Sequence, residues 1–209
     1  FDVAVCRAVA AAVLNDSDAI DLVPTTATTL FTALASGEID MLARNTTWTF
    51  SRDVDLKFEF VGVNYYDGQG FMAKADLGVS SATELDGATV CIQTGTTTEL
   101  NLADFFRSNN MSYEAVPVET GSEAVTNYLA GACDVFTTDR SALAARRANF
   151  EVPTDHVVLP EIVSKEPLGP LVRHGDNNWG DVVRWTLNAL ITAEELGVTS
   201  ANLEEMSKG

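Results

Sequence analysis

The chain has 209 residues, 46% hydrophobic and 21% charged, which suits one large domain or two small ones around a real core. Thirteen Lys and Arg stand against 30 Asp and Glu, and the resulting formal charge of −17 repels phosphate backbones and argues against nucleic acid as a partner. No apolar run approaches the roughly 20 residues needed to span a bilayer, which predicts a soluble chain.

Residues 1–14 set Val5, Val9 and Val13 on one stripe at helical spacing, flanked by alanines. Residues 20–23, closed by Pro24, read as a short strand. Residues 25–36 bring Leu30, Phe31 and Leu34 together at helical spacing, and Gly37 stands where a helix-ending glycine belongs. Residues 39–43 then read as a strand running into the polar cluster Arg44-Asn45-Thr46-Thr47. The order recurs: a strand at 88–93, a helix through Arg107, a strand at 113–118, a helix at 122–130 closed by Gly131, and a strand at 133–137 running into Thr138-Asp139-Arg140. Such alternation predicts an α/β fold with mostly parallel pairing.

A shift of 94 positions lays Gly37-x-x-Asp40 on Gly131-x-x-Asp134, Asn45 on Asp139 and Val3 on Thr97, which reads as two lobes on one plan. The second lobe opens with a strand for which the first has no counterpart after residue 1, so the chain is expected to be a fragment trimmed at its N-terminus. Apolar runs at 58–63 and 70–73, and a return at 169–173 before a helix at 179–196, place two crossings near Gly70 and Pro170. Residues 1–70 with 171–209 are therefore expected to form one lobe, and residues 71–170 the other.

In open α/β sheets, ligands gather beyond the carboxyl ends of the strands, where helix N-termini point inward. The segments Asn45-Thr46-Thr47 with Arg52, Gln93-Thr94-Gly95-Thr96-Thr97, and Asp139 all fall at such positions. A zwitterion matches this set. Arg52 and the turn amides suit a carboxylate, because a guanidinium fork meets both oxygens, and Asp139 suits an ammonium. Ordinary readings stand beside these: Arg52 as a loop charge paired with Asp53 or Asp55, the turn as a simple cap, and Asp139 as the cap of the helix from Ser141. Trp48, Phe50, Tyr65 and Tyr66 flank the Arg52 region; one of them is a candidate wall for a ligand pocket, and core packing or contact between lobes is the more ordinary role.

Three cysteines, Cys6, Cys91 and Cys133, lack C-x-x-C spacing, and only two histidines, His156 and His174, accompany them. Both histidines read as surface residues. A His/Cys metal site is not expected, nor any cofactor. One disulfide with a leftover thiol fits the cysteines as well as three buried small side chains do; Cys91 and Cys133 begin neighbouring candidate strands. There is no G-x-S-x-G, Walker loop or H-E-x-x-H, and no acid–base pair stands out among the carboxylates.

Phe1-Asp2-Val3 before an Ala/Val helix resembles the G-F-D-V-D pattern of periplasmic solute-binding proteins for polar amino acids, with Ala4 where the family has Asp. The stretches L-A-S-G-E-I-D, N-T-T-W-T-F-S-R-D, C-I-Q-T-G-T-T-T-E-L and C-D-V-F-T-T-D are similar to its general L-amino acid-binding branch. The resemblance implies a periplasmic binding protein-like fold, two α/β lobes joined by a two-strand hinge, with the first lobe lacking its opening strand. It implies a non-enzymatic, monomeric periplasmic protein that closes on one L-amino acid and delivers it to the membrane permease of an ABC transporter. On that likeness Arg52 takes the ligand carboxylate with Gly95, Thr96 and Thr97, Asp139 takes the α-ammonium, and Asn45 and Thr47 add polar contacts. The polar Arg44, Asn45, Thr46, Gln93 and Thr94 lean the side-chain preference towards polar or acidic amino acids. The alternative on the same scaffold is an enzyme like a cyclohexadienyl or arogenate dehydratase, which needs an acid over the leaving hydroxyl.

Overall fold

The computed structural model describes residues 1–208. In chain order the elements are α1 (Asp2–Leu14), α2 (Leu30–Ser36), β1 (Phe58–Phe60), β2 (Tyr65–Asp67), β3 (Gln69–Lys74), β4 (Ala88–Gln93), α3 (Thr97–Ser108), β5 (Tyr113–Val118), α4 (Gly121–Ala130), β6 (Val135–Asp139), α5 (Arg140–Ala148), β7 (His156–Val158), β8 (Glu166–Leu168), β9 (Leu171–Arg173), α6 (Asn177–Glu195) and α7 (Leu203–Met206). Contacts divide them into two units. The chain leaves unit 1 between Tyr65 and Tyr66 and returns between Glu166 and Pro167, and Thr25–Phe31 also groups with unit 2. Both of these crossing points fall inside strands, β2 and β8, which pair as a two-strand ladder.

Unit 2 is built on a five-stranded sheet in the order β5-β4-β6-β3-β7. Strands β5, β4 and β6 run parallel, as alternation with helices predicts, but β3 and β7 join antiparallel, so the pairing is mixed rather than mostly parallel. The reason is connectivity: β3 enters the sheet from the crossing strand β2 and needs no helical crossover. Side chains alternate between two buried faces. Phe71, Ala73, Val90, Ile92 and Val135 meet Leu102 and Phe106 of α3 on one face. On the other, Met72, Cys91 and Phe136 meet Ala124, Tyr128 and Leu143 of α4 and α5. Burial on both sides explains why these strands read as continuous apolar runs. Each fully buried Phe among them contributes about 1.5–3 kcal/mol. Cys91 and Cys133 are bonded, with Cα atoms 5.6 Å apart, and Cys6 is a free thiol.

His156 is not a surface residue. It begins β7 opposite Lys74, is 7% exposed, packs edge-on against Phe150, and its Nδ1 lies 2.9 Å from the Tyr128 hydroxyl. Burial pushes the imidazole pKa down and holds the Tyr128 phenol well above its ordinary range. His174 is half-exposed, 3.8 Å from Asp53.

Unit 1 centres on α1 and α6, whose Val9 and Val183 pack with Val61 and Val172, and on the antiparallel pair β1–β9. Val13, expected on the buried stripe of α1, is 49% exposed. Residues 20–23 form no strand; Leu22 and Val23 are exposed, since no described segment offers them an edge to pair with. Residues 39–43 make a single bridge, Leu42 to Leu171, rather than a strand. They are held instead by side chains: the Trp179 indole donates to the Asp40 carbonyl at 2.9 Å, and Arg173 donates to the carbonyls of Leu34 and Ile39. Glycine is obligatory at 169, where an added Cβ would stand 1.9 Å from the Gly62 carbonyl oxygen.

Candidate functional site

The candidate residues fall into two sets, one in each unit. In unit 1, Asn45 holds a positive φ of 20° and its amide donates to Asp2 Oδ2 at 3.1 Å; a short polar side chain makes that backbone tolerable. Thr46 and Thr47 are buried polar residues, 4% and 6% exposed. The Thr46 hydroxyl donates to the Arg44 carbonyl at 2.6 Å, and Thr47 bridges Leu168. Arg52 sits in a single wide helical turn, Ser51–Asp55, and its Nη1 donates to the Thr47 carbonyl at 2.8 Å. A contact across five positions of the chain thus ties Arg52 to the loop it was grouped with. Asp53, offered above as its ion partner, instead accepts from the Trp48 indole and faces His174. Trp48 stacks on Phe60 with centroids 5.4 Å apart, whereas Phe50 and Tyr66, expected in packing roles, are 75% and 80% exposed.

In unit 2, the register of Cys91 opposite Phe136 brings Gln93 and Asp139 to the same carboxyl end of the sheet, on neighbouring parallel strands. The turn into α3 is locally self-satisfied. Thr96 is the N-cap: its hydroxyl accepts from the Glu99 amide at 3.2 Å and donates to the Gln93 carbonyl at 2.7 Å. The Glu99 carboxylate reaches back to the Gly95 amide at 3.0 Å, a capping-box variant, and Gly95 adopts φ 73° with Thr28 against it. The Gln93 amide is committed to the Glu119 carbonyl at 2.8 Å. What this turn can still direct at a ligand is therefore backbone polarity and the N-terminal dipole of α3 more than the Thr96 hydroxyl.

Thr97 leads to residues that the sequence did not mark. Its hydroxyl lies 3.3 Å from Oε2 of Glu166, a carboxylate 2% exposed that also accepts from Asn101 Nδ2 at 2.8 Å and from Ser164. Gln69 is fully buried beside them. Its Nε2 donates to the Thr98 carbonyl and to Thr137, while its Oε1 has no hydrogen-bond partner among the described residues. Asp139 ends β6 opposite Gln69, is 7% exposed, and is the N-cap residue of α5 without a capping side-chain bond. In sequence, Glu166 and Gln69 look like any acid before a proline and any glutamine between glycines. Only their burial distinguishes them.

Among the described residues no group of three His, Cys, Asp or Glu could hold a metal ion, and no helix is long and apolar enough to cross a membrane.

The sequence model of the bacterial extracellular solute-binding proteins, family 3, matches residues 1–201. The chain belongs to this family. Among the family's members, the glutamate/glutamine/aspartate/asparagine-binding protein BztA of Rhodobacter capsulatus is 64% identical over 207 residues, covering 99% of this chain and 61% of the relative. The general L-amino acid-binding periplasmic protein AapJ of Rhizobium johnstonii is 56% identical over 206 residues, covering 99% and 60%. A solved periplasmic binding protein from Brucella ovis, with glutathione bound, superposes with a TM-score of 0.95 at 55% identity, over 100% of this chain and 65% of that one. The chain thus spans about three-fifths of the length of these curated relatives. The fold is that of periplasmic binding proteins, an α/β architecture crossed by two strands.

Proposed function

We propose that this protein is the substrate-binding component of an ABC transporter, a periplasmic monomer that captures polar or acidic L-amino acids with broad specificity and hands them to a membrane permease. The observation that carries the reading is 64% identity, along nearly the whole chain, to a protein named for binding glutamate, glutamine, aspartate and asparagine. In this reading the two units act as lobes. Arg52 binds the ligand carboxylate with the turn Gly95, Thr96 and Thr97 at the N-terminus of α3, Asp139 binds the α-ammonium, and Asn45, Thr46, Thr47 and Gln93 supply polar surroundings. Lobe closure would exclude water and strengthen these charge contacts. The chemistry asked of the site is binding alone. The names of the relatives support this over the dehydratase alternative.

A thermal-shift screen of the twenty amino acids tests the reading. Glutamate, glutamine, aspartate and asparagine are expected to raise Tm, and Arg52→Ala and Asp139→Ala to abolish the rise while leaving the unliganded Tm within a few degrees. Leucine binding as tightly as glutamate would overturn the polar preference, and turnover of arogenate or prephenate would overturn the binding role.

A further inference from the structure

A carboxylate taken out of water is held by hydrogen-bond donors or by an opposite charge. Glu166, the first residue of β8, is 2% exposed. Three groups donate to it: Ser164 Oγ and Asn101 Nδ2 to Oε1, at 2.5 and 2.8 Å, and Thr97 Oγ1 to Oε2, at 3.3 Å. Convergent donors suit an ionised carboxylate, which can only accept. Two of them stand on α3, at its first residue and one turn further on, so the carboxylate lies against the end of that helix where the partial charge is positive. Gln69 completes the arrangement from β3. Its backbone amide donates to Ser164 Oγ at 3.1 Å, which leaves the Ser164 hydroxyl proton for Glu166, and its Nε2 donates to the Thr98 carbonyl at 3.1 Å. The first turn of α3 is thus gripped at Thr97, Thr98 and Asn101 by residues from β3 and β8.

We infer that Glu166 is a specificity-determining residue, a buried negative charge at the N-terminus of α3 that sets how acidic amino acids are weighed against their amides. The dipole of α3 favours any ligand carboxylate, and Glu166 at the same terminus opposes negative charge there. The α-carboxylate is common to every amino acid, so opposition to it weakens all ligands alike. Glutamate and aspartate carry one further negative charge that glutamine and asparagine lack, and the field of Glu166 separates the two pairs. At an effective dielectric near 20, a charge about 10 Å away alters affinity roughly tenfold. That field acts at a distance, so its sign does not depend on which further groups Glu166 touches. The helix dipole alone would lean towards acids; the carboxylate beside it brings acids and amides closer together. The inference rests on the reading above, that the turn into α3 receives the ligand, and extends it to the charge of the ligand side chain.

The test is calorimetry on the protein with glutamate, glutamine, aspartate and asparagine, read as two affinity ratios, acid over amide. Glu166→Gln, nearly isosteric, is expected to raise both ratios about three- to thirtyfold. Glu166→Asp keeps the charge and should leave both within about twofold of wild type, even where the shorter side chain weakens all four ligands. A merely structural role would weaken the four together and leave the ratios level in every variant. Asn101→Lys leaves the carboxylate in place and sets an ammonium beside it from a half-buried position on α3. It should also raise both ratios, and it decides the matter even if Glu166→Gln fails to fold. Ratios that stay level or fall in either variant, once circular dichroism shows that variant folded, would overturn the inference. Binding of none of the four by the wild-type protein would instead strike the amino-acid reading, and the role of Glu166 would fall with it.

Discussion

Helix α1 of unit 1 and helix α3 of unit 2 begin and end at positions about 94 residues apart, and so do the glycines that end α2 and α4, Gly37 at φ 81° and Gly131 at φ 78°. The segments after those glycines part company. In unit 2 the chain enters β6, flanked by β4 on one side and β3 on the other, with Cys133 bonded to β4. In unit 1 the matching residues make one bridge, Leu42 to Leu171, and are otherwise held by Arg173 and Trp179. Similar local punctuation therefore yields similar helices but unequal strands. A helix satisfies its own backbone, whereas a strand exists only where a neighbour presents an edge.

The comparison can be broken most directly at the disulfide, which belongs to unit 2 alone. Closing a loop across 42 residues stabilises by about 4 kcal/mol on chain-entropy grounds, so Cys91→Ala with Cys133→Ala should strongly lower the protection of β4 and β6 amides in hydrogen exchange. Trp48, Trp179 and Trp185, all in unit 1, supply an independent fluorescence transition in urea that should move less. Equal movement of both probes would mean the units unfold as one body.

A second, smaller effect sharpens the account of unit 2's core. Tyr128→Phe deprives the buried His156 nitrogen of its partner and should cost about 1–3 kcal/mol. The same pair sets a pH dependence. Because burial lowers the folded pKa of His156, its stabilisation is complete above the unfolded value near 6.5 and is lost as pH falls below that value. Urea midpoints compared at pH 8 and pH 5 should show the decline, and His156→Gln should reduce it. The smallest effect tests the shared punctuation itself. Gly37 has no heavy atom within 4 Å of an added Cβ and Gly131 only the tip of Lys74, so alanine at either should cost about 1 kcal/mol through backbone strain alone. Chemical denaturation should give nearly the same loss for both. A much larger loss at one would show that the two glycines do different work.

The periodicities that marked the helices at 2–14, 97–108 and 121–130, the strands at 88–93 and 113–118, and the family itself were all legible in the sequence. Within the candidate set, the strand-end position of Asp139 and the strand-to-helix turn at Gly95 were legible for the same reason, since both follow from where one periodicity stops and the next begins. The commitments of individual groups were not. That His156 is buried, and that Glu166 holds Thr97 and Asn101, depend on which segments lie beside them.

The sequence by itself determined the helices, their capping glycines and the order of elements, because spacing of three to four residues and a freely turning Gly act within one stretch of chain. Tertiary structure alone decided whether 20–23 and 39–43 became strands and which cysteines paired. A ladder partner and a second sulfur are both supplied from tens of residues away, and no local pattern records where the fold will bring them.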